Sequence, residues 1–87
     1  MKKYYVTMTD KCLSGWGKAE GKINKLIFEC DTYHDAEIVA DNAEARGDQK
    51  YINITPNKPY YAPGRYYAQT KTKEECSRWY EAGFFRK

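Results

Sequence analysis

The chain has 87 residues and a formal net charge of +3, and 12 of its residues are Leu, Ile, Val or Phe. That share would point to disorder on its own, but the charge is low, and nine Tyr and two Trp supply large rings able to bury area. The arithmetic excludes a multidomain enzyme, a collagen-like chain and a run of the ~18 apolar residues that spans a membrane as a helix, and it predicts one small domain with a lean core.

The chain opens on alternation. Over Lys2 to Thr9, Tyr4, Val6 and Met8 fall on one side and Lys3, Tyr5, Thr7 and Thr9 on the other, the period of a half-buried strand. Asp10 to Gly21 holds Ser14, Gly15, Gly17 and Gly21 and reads as a loop carrying Trp16 between two glycines. Lys22 to Cys30 reads as a second strand, with Leu26, Phe28 and Cys30 alternating with Ile27 and Glu29, so the two form a hairpin with a long connection.

A helix follows. Thr32 is the expected N-cap with Asp35 as a short capping-box partner, and Asp35 and Glu37 place negative charge near the positive end of the helix dipole. Ala36, Val39, Ala40 and Ala43 recur at helical spacing, and Gly47 ends the element behind Arg46. Lys50 to Thr55 predicts a third strand, with Ile52 and Ile54 inward and Tyr51 and Asn53 outward. Pro56, Pro59 and Pro63-Gly64 mark a loop, and Arg65 to Thr70 predicts a fourth strand. Thr72 and Glu75 form a capping box that predicts a helix of about three turns, with Cys76, Trp79 and Tyr80 on one face, Gly83 at its end and Phe84-Phe85 packing back. The expected fold is α+β: a small antiparallel or mixed sheet of three to four strands, one packed central helix and a short C-terminal helix, in the order β-β-α-β-β-α.

Catalytic chemistry finds little support. Cys30-x-x-x-His34 with Cys12 and Cys76 is the one conceivable zinc set, but no Cys-x-x-Cys pair exists. The odd, widely spaced cysteines read as structural thiols rather than a disulfide framework. His34 is the single histidine, and no cysteine stands in a nucleophile context. The carboxylate pairs Asp35/Glu37 and Glu74/Glu75 sit where helix starts explain them, and no glycine-rich phosphate loop occurs. The expectation is a non-enzyme without metal or cofactor.

Charge is unevenly placed. Residues 1–43 carry six lysines against seven acids, whereas residues 44–87 carry nine basic residues against five acids. Lys50 to Lys73 contains no acid and five of the nine tyrosines. Lys50, Tyr51, Lys58, Tyr60, Tyr61, Arg65, Tyr66 and Lys71, with Trp16, are therefore the candidate binding residues. Tyr, Trp and Arg are the side chains that anchor protein interfaces, and basic groups interleaved with aromatics also suit single-stranded RNA or DNA. A plainer reading stays open: the tyrosines finish the edge of a small core, with one of Tyr66 and Tyr67 turned inward beside Tyr4 and Tyr80.

The chain resembles the short proteins of unassigned activity encoded by bacteriophages and mobile elements of bacteria. The stretches that carry the resemblance are the opening Met1 to Lys11 with Ser14-Gly15-Trp16-Gly17, the Ala36 to Ala43 helix, and Lys73-Glu74-Glu75 to Trp79-Tyr80-Glu81. The resemblance implies stoichiometric action on host machinery, as in anti-CRISPR proteins and other anti-defence inhibitors, and it assigns no catalytic or binding residue. Expected partners are a host protein or nucleoprotein complex, or RNA or single-stranded DNA, with no membrane. The N-terminus lacks a signal-peptide apolar run, so the expected location is the cytoplasm of a bacterial host cell. A lone edge strand such as Tyr66 to Thr70 leaves monomer and homodimer both open.

Overall fold

Alternation in the first two strands translates directly into pairing. The computed structural model describes residues 3–10 and 20–86. In it Tyr4–Asp10 (β1) and Ile23–Cys30 (β2) run antiparallel, with Val6 opposite Phe28 and Met8 opposite Leu26. Residues 11–19 of the glycine-rich connection, Cys12 and Trp16 among them, lie outside the described residues.

The central helix (α1) spans Tyr33–Arg46. Its N-cap is Thr32, whose hydroxyl accepts the Asp35 N–H at 3.1 Å. It ends where Gly47 takes a left-handed φ of 77° and gives its N–H to the Glu44 carbonyl. Ala36, Val39 and Ala43 are fully buried. A stripe made mostly of methyl groups lets the helix lie close on the sheet.

Gln49–Thr55 (β3) returns to pair antiparallel with β1 on the side away from β2, and Tyr66–Lys71 (β4) joins β2 in parallel. The order is β3-β1-β2-β4, a mixed four-stranded sheet with one main helix, which is the α+β fold expected. Helix α1 is packed over β1, β2 and β3. On that face Val6, Met8, Leu26, Phe28, Cys30, Ala36, Val39, Ala43 and Tyr80 form the core, flanked by Tyr4, Ile52, Ile54 and Trp79. Fully burying side chains such as Val6, Met8 and Phe28 is worth ~1.5–3 kcal/mol each relative to exposure.

The tail departs from expectation. The Thr72 hydroxyl meets the Glu75 carboxylate at 3.2 Å, but no α-helix grows from it. Two 3₁₀ turns form instead, at Ser77–Tyr80 and Phe84–Arg86, with Gly83 at φ 72° just before the second. In an α-helix the Trp79 and Glu81 carbonyls would accept from N–H groups four residues on; here a side chain of α1 takes them instead. Trp79 packs on Phe28 with ring centroids 4.6 Å apart and on Phe85 at 5.3 Å. Buried Asn42 fastens the path: its amide donates to the carbonyls of Trp79 (2.8 Å) and Glu81 (2.9 Å), and its oxygen accepts the Phe85 N–H (3.4 Å). Tyr80 lies in the core and donates its hydroxyl to the Glu29 carbonyl at 2.6 Å. Among the described residues, no helix is long and apolar enough to cross a membrane.

Candidate functional site

The face of the sheet opposite α1 is not a plain solvated surface. Thr7, Thr9 and Ile27 alternate with the core residues and point to this second face, yet all three are buried. Topology explains part of this. Strands β3 and β4 run parallel, so residues 56–65 must travel back along the sheet, and α1 occupies the other face. The proline-tyrosine loop is therefore a crossover over the second face. Its Tyr61 ring lies 5.3 Å from that of Tyr66.

Lys25 is the centre of this surface. It stands opposite Thr9 and donates from Nζ to the Thr9 hydroxyl at 2.7 Å. The ring centroids of Tyr61, Tyr51 and Tyr66 lie 5.3, 5.8 and 5.9 Å from the same ammonium. Burial among these groups lowers the Lys25 pKa below that of a free lysine. Ring faces return part of the lost solvation, ~0.5–2 kcal/mol for a cation over an aromatic ring. Three strands and a loop thus converge on one cation.

Tyr51 reaches it through a bulge. Asn53 pairs with Thr7 and Lys50 with Thr9, so Tyr51 and Ile52 together face Met8. Tyr51 is the only described non-glycine residue with positive φ, 55°, a conformation that costs roughly 1–2 kcal/mol in an L-residue. The extra residue keeps Ile52 on the core while Lys50 stays opposite Thr9. It also leaves Tyr51 over Lys25 and 72% exposed.

Of the residues singled out from sequence, Tyr51, Tyr61 and Tyr66 are gathered around Lys25, with Lys50 on the same face. Tyr60, 83% exposed, and Lys58 and Arg65, also exposed, lie on the crossover loop. Lys71 is not among them. Its register partner is Phe28, which places it on the helix side, where its charge acts on Cys76. Tyr67 also belongs to the helix side, opposite Asn24, and is half-buried there. Trp16 lies outside the described residues. Among the described residues, Lys25, Lys50, Lys58 and Arg65 have no ion-pair partner; the ion pairs are Lys3 with Glu29 and Asp31, and Arg46 with Asp48.

Sequence reasoning missed Lys25. Its place between Asn24 and Leu26 already puts it on the face away from Phe28, but the convergence of β3, the loop and β4 upon it depends on strand order.

Other groups fit structural roles. Burial, with the nearby Asp35 charge, pushes the Cys30 thiol up to about 12, so it stays protonated and donates to the Phe28 carbonyl at 3.7 Å. Burial also raises Cys76. His34 is exposed in the first turn of α1. On the helix side a shallow groove of about 400 Å³ is lined by Arg46, Arg78, Trp79, Phe84 and Phe85. There the Arg46 guanidinium packs on Trp79 (5.0 Å) and Phe85 (4.9 Å) while Asp48 holds it at 2.9 Å, so this cation is already engaged. Compared with known proteins, the chain matches no family model, no curated protein and no solved structure.

Proposed function

We propose that the protein is a non-enzymatic, stoichiometric binding protein, encoded by a phage or mobile element, that docks on a host protein or nucleoprotein and blocks it as an anti-CRISPR or other anti-defence inhibitor does. The observation that supports this reading is the gathering of Tyr51, Tyr61 and Tyr66 around Lys25, flanked by exposed Tyr60. Tyr61 and Tyr66 are already packed ring on ring, and large rings beside a partly desolvated cation suit an interface anchor. The inhibitory role itself is carried by the resemblance to short phage-encoded proteins.

A second reading, single-stranded RNA or DNA on the same surface, is favoured by four cations of this surface, Lys25, Lys50, Lys58 and Arg65, that have no carboxylate partner among the described residues. The two separate on salt. Phosphate-driven affinity falls steeply between low and physiological ionic strength, whereas a tyrosine-anchored protein interface changes much less. The test is affinity capture from a bacterial host lysate with and without nuclease, followed by titration of the captured partner at two salt concentrations. A protein that survives nuclease and binds with little salt dependence is the expected result. Recovery of nucleic acid alone overturns the protein reading in favour of the second.

A further inference from the structure

The two edges of the sheet are built differently. The β3 edge carries the bulge at Tyr51 and Ile52 and runs into Pro56, two devices that prevent a further strand from pairing. The β4 edge has neither. Tyr66–Lys71 pairs with β2 over six consecutive residues without a bulge, contains no proline, and has its single charge at the last position. Among the described residues β2 is the one element packed extensively against it.

The direction of its free backbone groups can be read off. The Ile23 N–H donates to the Arg65 carbonyl at 3.1 Å, and Ile23 is in register with Tyr66. By the alternation of a parallel ladder, the backbone groups of Tyr67, Gln69 and Lys71 are then directed at β2, and those of Tyr66, Ala68 and Thr70 point outward. The Tyr66 N–H is taken by the Ala62 carbonyl at 2.9 Å. Ala68 and Thr70 therefore each present one N–H and one C=O to the edge.

We propose that this edge is occupied by a second copy of the chain, β4 pairing antiparallel with β4 about a two-fold axis at Gln69. In that register Ala68 of each copy lies opposite Thr70 of the other, and four hydrogen bonds use every free group of these two residues. Tyr67 falls opposite Lys71, a ring against a cation, and the two Lys71 side chains are kept apart. The product is one eight-stranded sheet with both helices on one face and both Lys25–tyrosine surfaces on the other. Pairing stops at two copies because the remaining edges are the bulged β3 strands. A single strand pair buries less than the ~1,200 Å² of a standard interface, the size class of weak, transient association, so the expected dissociation constant is micromolar.

Sedimentation velocity from about 1 to 300 µM, spanning that range, is expected to show a monomer–dimer equilibrium. Ala68→Pro removes an outward N–H and no bond to β2, and is expected to weaken the dimer tenfold or more with the circular dichroism spectrum unchanged. Gln69→Cys gives a readout independent of that variant. A non-hydrogen-bonded antiparallel pair brings opposite Cα atoms to ~4.5 Å, within disulfide reach. Under mild oxidation this variant is expected to cross-link to a dimer faster than Ser77→Cys, an exposed position away from the edge. A monomer throughout the concentration range, a dimer untouched by Ala68→Pro in folded protein, or equal cross-linking of the two cysteine variants each overturns the proposal.

Discussion

The two faces of the sheet obey the same two-residue period and come to opposite ends. On the helix side Val6, Met8, Leu26 and Phe28 meet the alanine stripe of α1 and the rings of Trp79 and Tyr80. On the other side the same strands show Thr7, Thr9, Lys25 and Ile27 beneath a loop rich in proline and tyrosine. One face spends its residues on a packed interior. The other keeps a hydroxyl, an ammonium and three rings in contact, a costlier arrangement that a core does not require. Stability and the candidate docking surface are thus divided by the sheet, and substitutions should separate them.

Substitutions on the helix side should cost most. Phe28→Ala removes the ring against which Trp79 and Tyr80 pack and is expected to cost about 3–5 kcal/mol. A domain this small has on the order of 5–10 kcal/mol in total, so urea denaturation should find the variant close to unfolded at 37 °C. A loss under about 1 kcal/mol would mean that the second face carries the stability. Next comes Asn42→Ala. It leaves two carbonyls and one N–H of the tail without their partner, at an expected cost of about 2 kcal/mol. The tail should loosen before the sheet does, seen as early loss of hydrogen-exchange protection at Trp79 to Phe85. Simultaneous loss of protection in tail and sheet would show that the tail is part of the cooperative core.

Most of the first face was legible in the sequence. Alternation in Tyr4 to Met8 and in Leu26 to Cys30, the Thr32 cap and the Gly47 stop are local signals, and local energetics decide them. What was not legible depends on distant partners. The Thr72–Glu75 box is a genuine start signal, yet the tail runs in 3₁₀ turns, its carbonyls at Trp79 and Glu81 held by Asn42 of a distant element. Asn42 reads as one more polar helix residue until the Trp79 and Glu81 carbonyls arrive beside it. Of the candidate surface, the acid-free tyrosine segment could be found by composition. The bulge that aims Tyr51, the crossover that brings Tyr61 to Lys25, and the turn of Lys71 to the helix side all follow from strand order.

Tyr51→Gly tests the division from the other side. Glycine adopts positive φ without the strain that Tyr51 bears at 55°, so the stability lost with the ring contacts is offset. Unfolding free energy is expected to stay within about 0.5 kcal/mol of the parent or to rise. Affinity for the captured partner is expected to fall by about 1–2 kcal/mol, as for an interface anchor, and Tyr60→Ala should behave alike. Titration calorimetry alongside urea denaturation makes the comparison. Unchanged affinity in both variants would remove these two rings from the docking surface.

The smallest effect is a slope with pH. The Lys25 pKa is lowered in the folded chain by burial and returns to its ordinary value on unfolding. While the ammonium is charged in both states, folding bears its desolvation. As pH rises through the folded pKa toward that of a free lysine, the unfolded state holds more protons than the folded one, so the Lys25 contribution to stability increases. Lys25→Met abolishes this titration while leaving the other lysines and tyrosines in place. The parent is therefore expected to gain stability relative to Lys25→Met between neutral and alkaline pH, whatever the offset at pH 7 from the lost Thr9 hydrogen bond. A difference that stays flat would describe a solvated lysine merely near three rings. One that falls with pH would mean that the rings hold the charge more strongly than burial repels it, and the second face would then be a cation-binding surface stabilised by its own lysine.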